Sequence, residues 1–385
     1  MATTELVYPL AFPKSVVHKC EICGKIASRM CSKCRVTYYC SEEHQTADNI
    51  GIHDKICSTL ASLRLKQPFL PSEEERRERD REIRDRKIHL IEVTRMIGER
   101  HVFQDRFEAA VPAALASLKL AIEVYGPRSV ELIPSYLILA EASLGLKQLN
   151  QCWEYLSQAQ YTILQQQQQQ HEQTSLAITS QLARNMAQLS IARKEYDEAA
   201  RHLANDIYDA SLFYGTEHHK VAGGYFLLGK VFKLMNRHEV TESLYTQVTQ
   251  MWYNFLRRLL QSRVVFSDMD AILGKKDDDN GDELTNSSKL DLSTEAEAFN
   301  TLQILLTYRL ETQQTNPMIQ ELNKIYHCLT ILYFLARDYI QVHDSMNKIK
   351  DCAIQDIEDD QQRILKFLEQ LGQMKALMKR QQQQN

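Results

Sequence analysis

Apolar and small residues recur along this chain at helical intervals, and the interval pattern itself recurs. A small residue comes first, then an aromatic or apolar residue, then small or apolar residues three, seven and ten positions after that. The first segment has Gly98, Phe107, Ala110, Ala114 and Ser117, and the second has Ala140, Leu149, Cys152, Leu156 and Ala159. The third has Ala187, Tyr196, Ala199, Leu203 and Asp206, and the fourth Gly229, His238, Thr241, Tyr245 and Val248. A weaker fifth has Thr330, Tyr339, Val342, Met346 and Ile349. Each set reads as two helices joined by a tight turn, crossing closely at the small residue while the aromatic fills the space beside it. The first four small residues lie 42, 47 and 42 positions apart. Val124-Tyr125-Gly126 and Phe213-Tyr214-Gly215 are 89 apart, in the same register, and their glycines predict helix C-caps. One hairpin cannot bury its own apolar face, so the units must stack.

The segments around this array have other characters. Pro68 and Pro71 end any helix arriving from the N-terminal side. Ser72 then predicts an N-cap, with Glu75 completing a capping box. The run that follows interleaves acids and bases, with Glu73/Arg77, Glu75/Arg79, Asp80/Arg84 and Glu82/Arg86 at i,i+4, and predicts a solvated, self-paired helix. Gln165 to Gln170 extends a helix, glutamine being a fair helix former. Residues 267 to 294 are acidic and polar and read as a flexible insertion. From 353 to 380 an apolar stripe at helical spacing, including Ile357, Leu365, Leu368 and Leu371, predicts a capping helix over the last repeat, and the chain ends in a Gln-rich tail.

The repeats resemble the tetratricopeptide family, in the lengthened form found in kinesin light chains. Composition agrees with a helical body. Gly and Pro are only 12 and 8 of 385 residues, too few for a turn-rich all-β fold. With 46 Lys and Arg against 50 Asp and Glu, the net charge of -4 provides no basic field for nucleic acid or an anionic membrane. No signal peptide and no 18-residue apolar run is visible, so the default expectation is a reducing, intracellular setting. Clustered cysteines there point to metal more than to disulfides.

Six of the nine cysteines fall between Cys20 and Cys57, in the order Cys20-x2-Cys23-x7-Cys31-x2-Cys34-x5-Cys40-x3-His44-x8-His53-x3-Cys57. Eight such ligands suit two tetrahedral zinc sites, each Cys-x2-Cys forming a knuckle. Cys40/His44 and His53/Cys57 stand one helical turn apart, so each pair can aim at one ion. The interval holds few large apolar residues, and a segment of about 40 residues rarely folds on such a core without metal. Full use of eight ligands by two ions leaves no open position, so the zinc is expected to be structural. Spacing alone leaves the pairing of ligands open. Cys152, Cys328 and Cys352 fall at helical positions and read as small buried hydrophobes. His218 and His219 have no second ligand pair at metal spacing.

The cluster resembles the MYND-type zinc finger, and Tyr39-Cys40-Ser41 and Gln45 also match that family. The resemblance implies interleaved ligands: Cys20, Cys23, Cys40 and His44 on one zinc, and Cys31, Cys34, His53 and Cys57 on the other. The chain departs from the family in three ways. His44 stands where Cys is usual, the interval from His44 to His53 is one residue longer, and Ile50 stands where a Trp helps corepressor-binding members grip proline-rich peptides.

No G-x-x-x-x-G-K-[ST], G-x-G-x-x-G or G-x-S-x-G occurs. The catalytic stretch of the methyltransferases that carry this finger is also missing. The expected protein is therefore mostly α and not an enzyme: a two-zinc MYND finger followed by a tetratricopeptide-like α-solenoid with a C-terminal capping helix. The boundaries drawn are 1–17 for an N-terminal arm, 18–60 for the finger and 61–97 for a connector and charged helix. Repeats occupy 98–266, the insertion 267–294, a further helical repeat 295–352, and the capping helix and tail 353–385. The layout resembles axonemal finger-plus-repeat proteins. That resemblance implies a scaffold in the cytoskeleton of motile cilia and sperm flagella, with a tetratricopeptide axonemal partner and inner dynein arm components. A nuclear corepressor-type adaptor binding Pro-rich peptides is the alternative, and Ile50 speaks against it.

Overall fold

Three short strands open the chain. β1 (Thr4–Leu6), β2 (Arg29–Cys31) and β3 (Tyr38–Tyr39) form an antiparallel sheet in that order, with Glu5 opposite Met30 and Met30 opposite Tyr38. β1 lies in the stretch expected to be an arm. Three residues are too few to show alternation, and the strand exists only because β2 offers an edge, helped by the Glu5–Arg35 ion pair at 3.0 Å. The computed structural model describes residues 4–7, 17–65, 69–170, 175–264, 290–312 and 319–351. They fall into two units, Met1–Phe213 and Tyr214–Asn385.

In the first unit the sheet leads into α1 (Glu42–Asp48), a π turn (Asn49–His53) and α2 (Asp54–Arg64). The helical body follows: α3 (Glu73–Phe103), α4 (Phe107–Tyr125), α5 (Ile133–Gly145), α6 (Leu149–Gln170), α7 (Leu176–Ala192) and α8 (Tyr196–Tyr214). The second unit holds α9 (His219–Leu234), α10 (His238–Val264), α11 (Leu292–Thr312), α12 (Ile319–Leu335) and α13 (Tyr339–Asp351). The protein is mostly α, and no described helix is long and apolar enough to cross a membrane.

The repeated pattern has a single local cause. The second helix of each hairpin begins at Phe107, Leu149, Tyr196, His238 or Tyr339, the aromatic-or-apolar position of its segment. Two residues earlier, at Asp105, Lys147, Lys194, Asn236 and Arg337, the backbone takes a left-handed φ of 56° to 66°. Each first helix closes with the same two hydrogen bonds. In the first hairpin these are Asp105 N–H to Val102 O at 3.0 Å and Arg106 N–H to His101 O at 2.9 Å, and the fifth repeats them as Arg337 N–H to Phe334 O and Asp338 N–H to Tyr333 O. This is a Schellman closure, which normally places glycine at the left-handed residue. Here five non-glycine residues carry it, so the invariant turn length holds the two helices in fixed register at a small conformational cost.

Close approach explains the small residues. A Cβ on Gly145 of α5 would lie 2.4 Å from the Phe107 ring, and one on Gly229 of α9 would lie 2.5 Å from the Tyr245 ring. Ala110, Ala114, Ala140, Ala159, Ala187 and Ala199 are completely buried. Asp206 is the exception to the apolar pattern at the last position of a segment. It is fully buried, and it accepts hydrogen bonds from Ser180 Oγ at 2.6 Å and Arg184 Nε at 2.8 Å. Those bonds offset the desolvation of its charge.

Several expectations meet a different local structure. Ser72 is the N-cap of α3, but its side chain makes no capping hydrogen bond, so the capping box does not form. The charged run and the first helix of the repeat array are one continuous 31-residue helix, α3, which buries Leu90, Ile91 and Ile97 toward its C-terminal end. Glu73/Arg77 and Glu82/Arg86 form the expected ion pairs. α11 starts at Leu292, where Asp291 accepts from Thr294 N–H at 2.7 Å, so regular structure begins inside the stretch read as an insertion. The rest of that stretch, Cys352 and the expected capping helix lie outside the described residues. The glutamine tract does extend α6, through Gln170.

One core cluster of the first unit joins Ile52, Ile56 and Leu60 to Leu90, Ile91 and Ile97, which lie within the stretch read as connector and charged helix, and to Ala113, Leu120 and Leu132. The second unit's core centres on Trp252, Leu256, Leu302, Ile331 and Leu332.

Two substitutions test this account by thermal or urea unfolding. Lys194→Gly should stabilise by about 0.5 kcal/mol, because relief of the left-handed residue outweighs the added chain entropy. Gly145→Val should destabilise by roughly 1–3 kcal/mol through collision with Phe107. Equal, unchanged midpoints for both would contradict the proposed turn and crossing.

Candidate metal centre

The two cysteine knuckles are built alike. After Cys20 and Cys23 the chain turns at Gly24 with φ 70°, and after Cys31 and Cys34 it turns at Arg35 with φ 57°. Gly24 N–H donates to Cys20 O at 3.1 Å, and Arg35 N–H donates to Cys31 O at 2.9 Å. Each turn folds its two thiols to one side and aims backbone N–H groups at the sulfurs.

The remaining ligands come from the helices. Ser41 caps α1 by accepting from His44 N–H at 3.3 Å. The cap starts the helix directly after Cys40 and brings His44 Nδ1 to 3.1 Å from Cys40 Sγ. The interval before His53 ends in the π turn at Asn49–His53, a wider turn that adds one residue without ending the helix. His53 thereby faces Cys34, with Nε2 3.7 Å from Sγ, and Cys57 one turn later on α2 reaches Cys31 at 4.0 Å.

The structure thus gathers the eight side chains into two groups, Cys20, Cys23, Cys40 and His44, and Cys31, Cys34, His53 and Cys57. Within each group the ligand atoms all lie within 4.8 Å of one another. Tetrahedral zinc with Zn–S near 2.3 Å requires sulfur separations of about 3.8 Å. Cys23–Cys40 at 3.5 Å and Cys31–Cys57 at 4.0 Å bracket that value. The chemistry of three sulfurs and one imidazole, at these distances, fits two zinc ions.

The electrostatics of the inner group suit a metal. Burial, which would raise the Cys34 thiol, is outweighed by hydrogen bonds from His53, Thr37 and the Val36 backbone, which hold it near 6. Burial of His53, which would lower it, is outweighed by hydrogen bonding to Cys34 and Cys31 and by the Asp48 charge, which carry it to about 9. Cys57 is pushed up to about 12 by burial and by the charges of Cys34 and Cys31. Three buried sulfurs cannot all ionise beside one another unless a cation joins them, and zinc supplies that charge.

Behind the inner group stands a support that sequence reasoning did not assign. Tyr39, fully buried, donates its hydroxyl to Asp48 Oδ2 at 2.7 Å, and the same oxygen is 3.8 Å from His53 Nδ1. At that distance the carboxylate acts on the ring through charge and not through a hydrogen bond, and His53 Nδ1 is buried without a hydrogen-bond partner among the described residues. Asp48 stands five residues before His53, a spacing with no sequence signature, and the π turn is what brings the two together. Thr37 Oγ1, 3.1 Å from Cys34 Sγ, belongs to the same support.

The finger is docked on α3 and α4. A Cβ on Gly51 would lie 2.6 Å from Ala109 O and 3.1 Å from the Pro112 ring, so this position accepts only glycine without backbone movement. His101 Nε2 lies 3.1 Å from Gly51 O. Glu21, between the two ligands of the first knuckle, pairs with Lys119 on α4 at 3.0 Å and with Arg64 on α2. Ile50, expected from the resemblance to be a departure from the finger's pattern, is 66% exposed.

The other candidates are structural. His218 caps α9 by accepting from Lys220 N–H, and His219 is buried against Phe255 at 3.8 Å, where burial holds its pKa near 3. Cys152 is buried, with its thiol pushed up to about 11 by burial, and Cys328 is fully buried.

Residues 20–57 match the family model "MYND finger". Programmed cell death protein 2 of Mus musculus is 44% identical over 45 residues, 12% of this chain and 13% of that protein, and the Rattus norvegicus protein matches equally. The Bos taurus protein is 38% identical over 50 residues, 13% of this chain and 14% of its own length. The chain therefore spans about one seventh of the length of these curated relatives, over a stretch the length of the finger. Among solved structures, BtubC (BKLC) from P. vanneervenii aligns with 68% of this chain and 90% of its own at 14% identity and a TM-score of 0.30, too loose to bear on the fold. The chain carries a MYND finger with two Cys/His groups positioned for two zinc ions. Such a finger points to protein partners, and finger and helical scaffold together fit a non-enzyme.

Asp48→Asn should lower zinc affinity at the group of Cys31, Cys34, His53 and Cys57 by roughly 10–100-fold in a chelator competition, because the charge beside His53 is lost. Gly51→Val should destabilise the protein by about 3 kcal/mol or more, since the clash is with backbone. Complete zinc removal by a strong chelator should melt the finger while the far-ultraviolet spectrum stays helical. A collapse of the whole helical signal in proportion to zinc loss would contradict a body whose hairpins beyond the core shared with the finger are held by their own packing.

Proposed function

We propose that this protein is a non-catalytic scaffold. In this reading Cys20, Cys23, Cys40 and His44 bind one structural zinc, Cys31, Cys34, His53 and Cys57 bind the other, and the finger so formed closes one end of a tetratricopeptide-like array. The observation that carries it is the shared core. Ile52, Ile56 and Leu60 pack in one cluster with Leu90, Ile91 and Leu120, so the finger is fixed to the first hairpin and both present one rigid surface. Stacked hairpins offer extended faces for peptides or partner helices, a geometry for binding and not for turnover.

The cellular setting we propose is the axoneme of motile cilia and sperm flagella, in the cytoskeleton, with a tetratricopeptide axonemal protein and inner dynein arm components as partners. Its support is the resemblance of the layout, a small finger leading into lengthened repeats. A corepressor-type adaptor lacks its aromatic grip, since Ile50 replaces the Trp.

Extraction of ciliated cells expressing the full-length tagged chain tests this. Detergent- and salt-resistant retention with axonemes, and recovery of dynein arm components on release, is the expected outcome. Retention on chromatin, or complete loss into the detergent-soluble fraction, would end the axonemal reading.

A further inference from the structure

The eight ligand side chains do not share one environment. Cys31, Cys34, His53 and Cys57 are all buried, none more than 9% exposed. In the other group only Cys20 is buried, while Cys23 is exposed and Cys40 and His44 are half-buried. The inner group is also enclosed by neighbours. Thr37 covers Cys34, Tyr39 and Asp48 back His53, and the π turn that carries His53 is pinned to α4 at Gly51. Attack on a zinc-bound sulfur requires a reagent to reach that sulfur, so enclosed ligands react only after local opening.

We infer that the two zinc positions are chemically unequal: the outer one is a modification site where Cys23 reacts with soft, thiol-directed electrophiles, and the inner one is locked by the dock. With an activated alkene the step is an addition. The Cys23 sulfur would form one bond to an alkene carbon as the C=C π bond breaks, the neighbouring carbon would take a proton from water, and the neutral thioether would give up its place on the ion to the hydroxide so formed. Nothing else is oxidised or reduced. The apolar attachments of the finger, Ile52, Ile56 and Leu60, lie outside the outer group and keep it docked afterwards, although Glu21, which accepts a hydrogen bond from Lys119 at 3.0 Å, sits within the outer knuckle.

The inference rests on the two-zinc reading, so elemental analysis of the full-length protein comes first, and a content other than two equivalents would refute that reading separately. Limiting N-ethylmaleimide is then added with a metallochromic indicator, and the alkylated cysteines are mapped by mass spectrometry. One equivalent of zinc should leave at least ten-fold faster than the second, with first alkylation at Cys23 and with Cys31, Cys34 and Cys57 protected; first alkylation at Cys40 would overturn the assignment to Cys23. Cys23→Ser, checked for a native helical spectrum, should lose the fast phase. Release of both ions together, first reaction at an inner thiol, no release short of unfolding, or a fast phase surviving in Cys23→Ser would each overturn the inference.

Discussion

One small segment has to satisfy two demands at once. His53 must face Cys34 inside the finger, and Gly51, two residues earlier, must lie flat against the backbone of α4. An ordinary α-helical continuation of α1 would rotate one of them out of place, because a π turn carries one residue more than an α turn. The π turn at Asn49–His53 supplies that residue. The inner metal group, its Asp48 support and the dock are consequently one structure. A change at any of them is felt at the others, since packed interiors transmit small displacements.

The body obeys a different constraint. Its hairpins are matched by a turn, not by any conserved face. Among the described residues a left-handed residue and two backbone hydrogen bonds recur at five helix–helix turns, and the second helix starts two residues after the left-handed one each time. The aromatic or apolar residue there then meets a small residue on a neighbouring helix, as Phe107 meets Gly145. A hairpin closed this way is held at its joint, and a pre-ordered surface loses less entropy when a partner binds.

The finger adds rigidity at one end through metal instead of apolar volume. Its own large apolar side chains are few, and three of them, Ile52, Ile56 and Leu60, are committed to the body. What remains around the ions is sulfur, imidazole, Tyr39 and Asp48. The arrangement also separates the two ions by environment: one is sealed between support and dock, and the other stays near the surface.

The sequence by itself determined the helical body, its register and the metal chemistry. Offsets of three, seven and ten along a helix project residues onto one face, so the buried alanines, Leu156, Leu203 and Tyr245 were legible from spacing. The Cys-x2-Cys pairs are legible for the same local reason, as two ligands of one knuckle must sit a turn apart. Only the tertiary structure decided the rest. β1 needs an edge supplied by β2, and Glu75 finds no capping role at Ser72. Asp206 can occupy a buried, otherwise apolar position because Ser180 and Arg184, on another helix, meet its charge. Asp48 acquires its place behind His53, and Gly51 its necessity, only when the π turn and α4 are brought together. These depend on contacts between residues far apart in the chain, and no local spacing encodes such a contact.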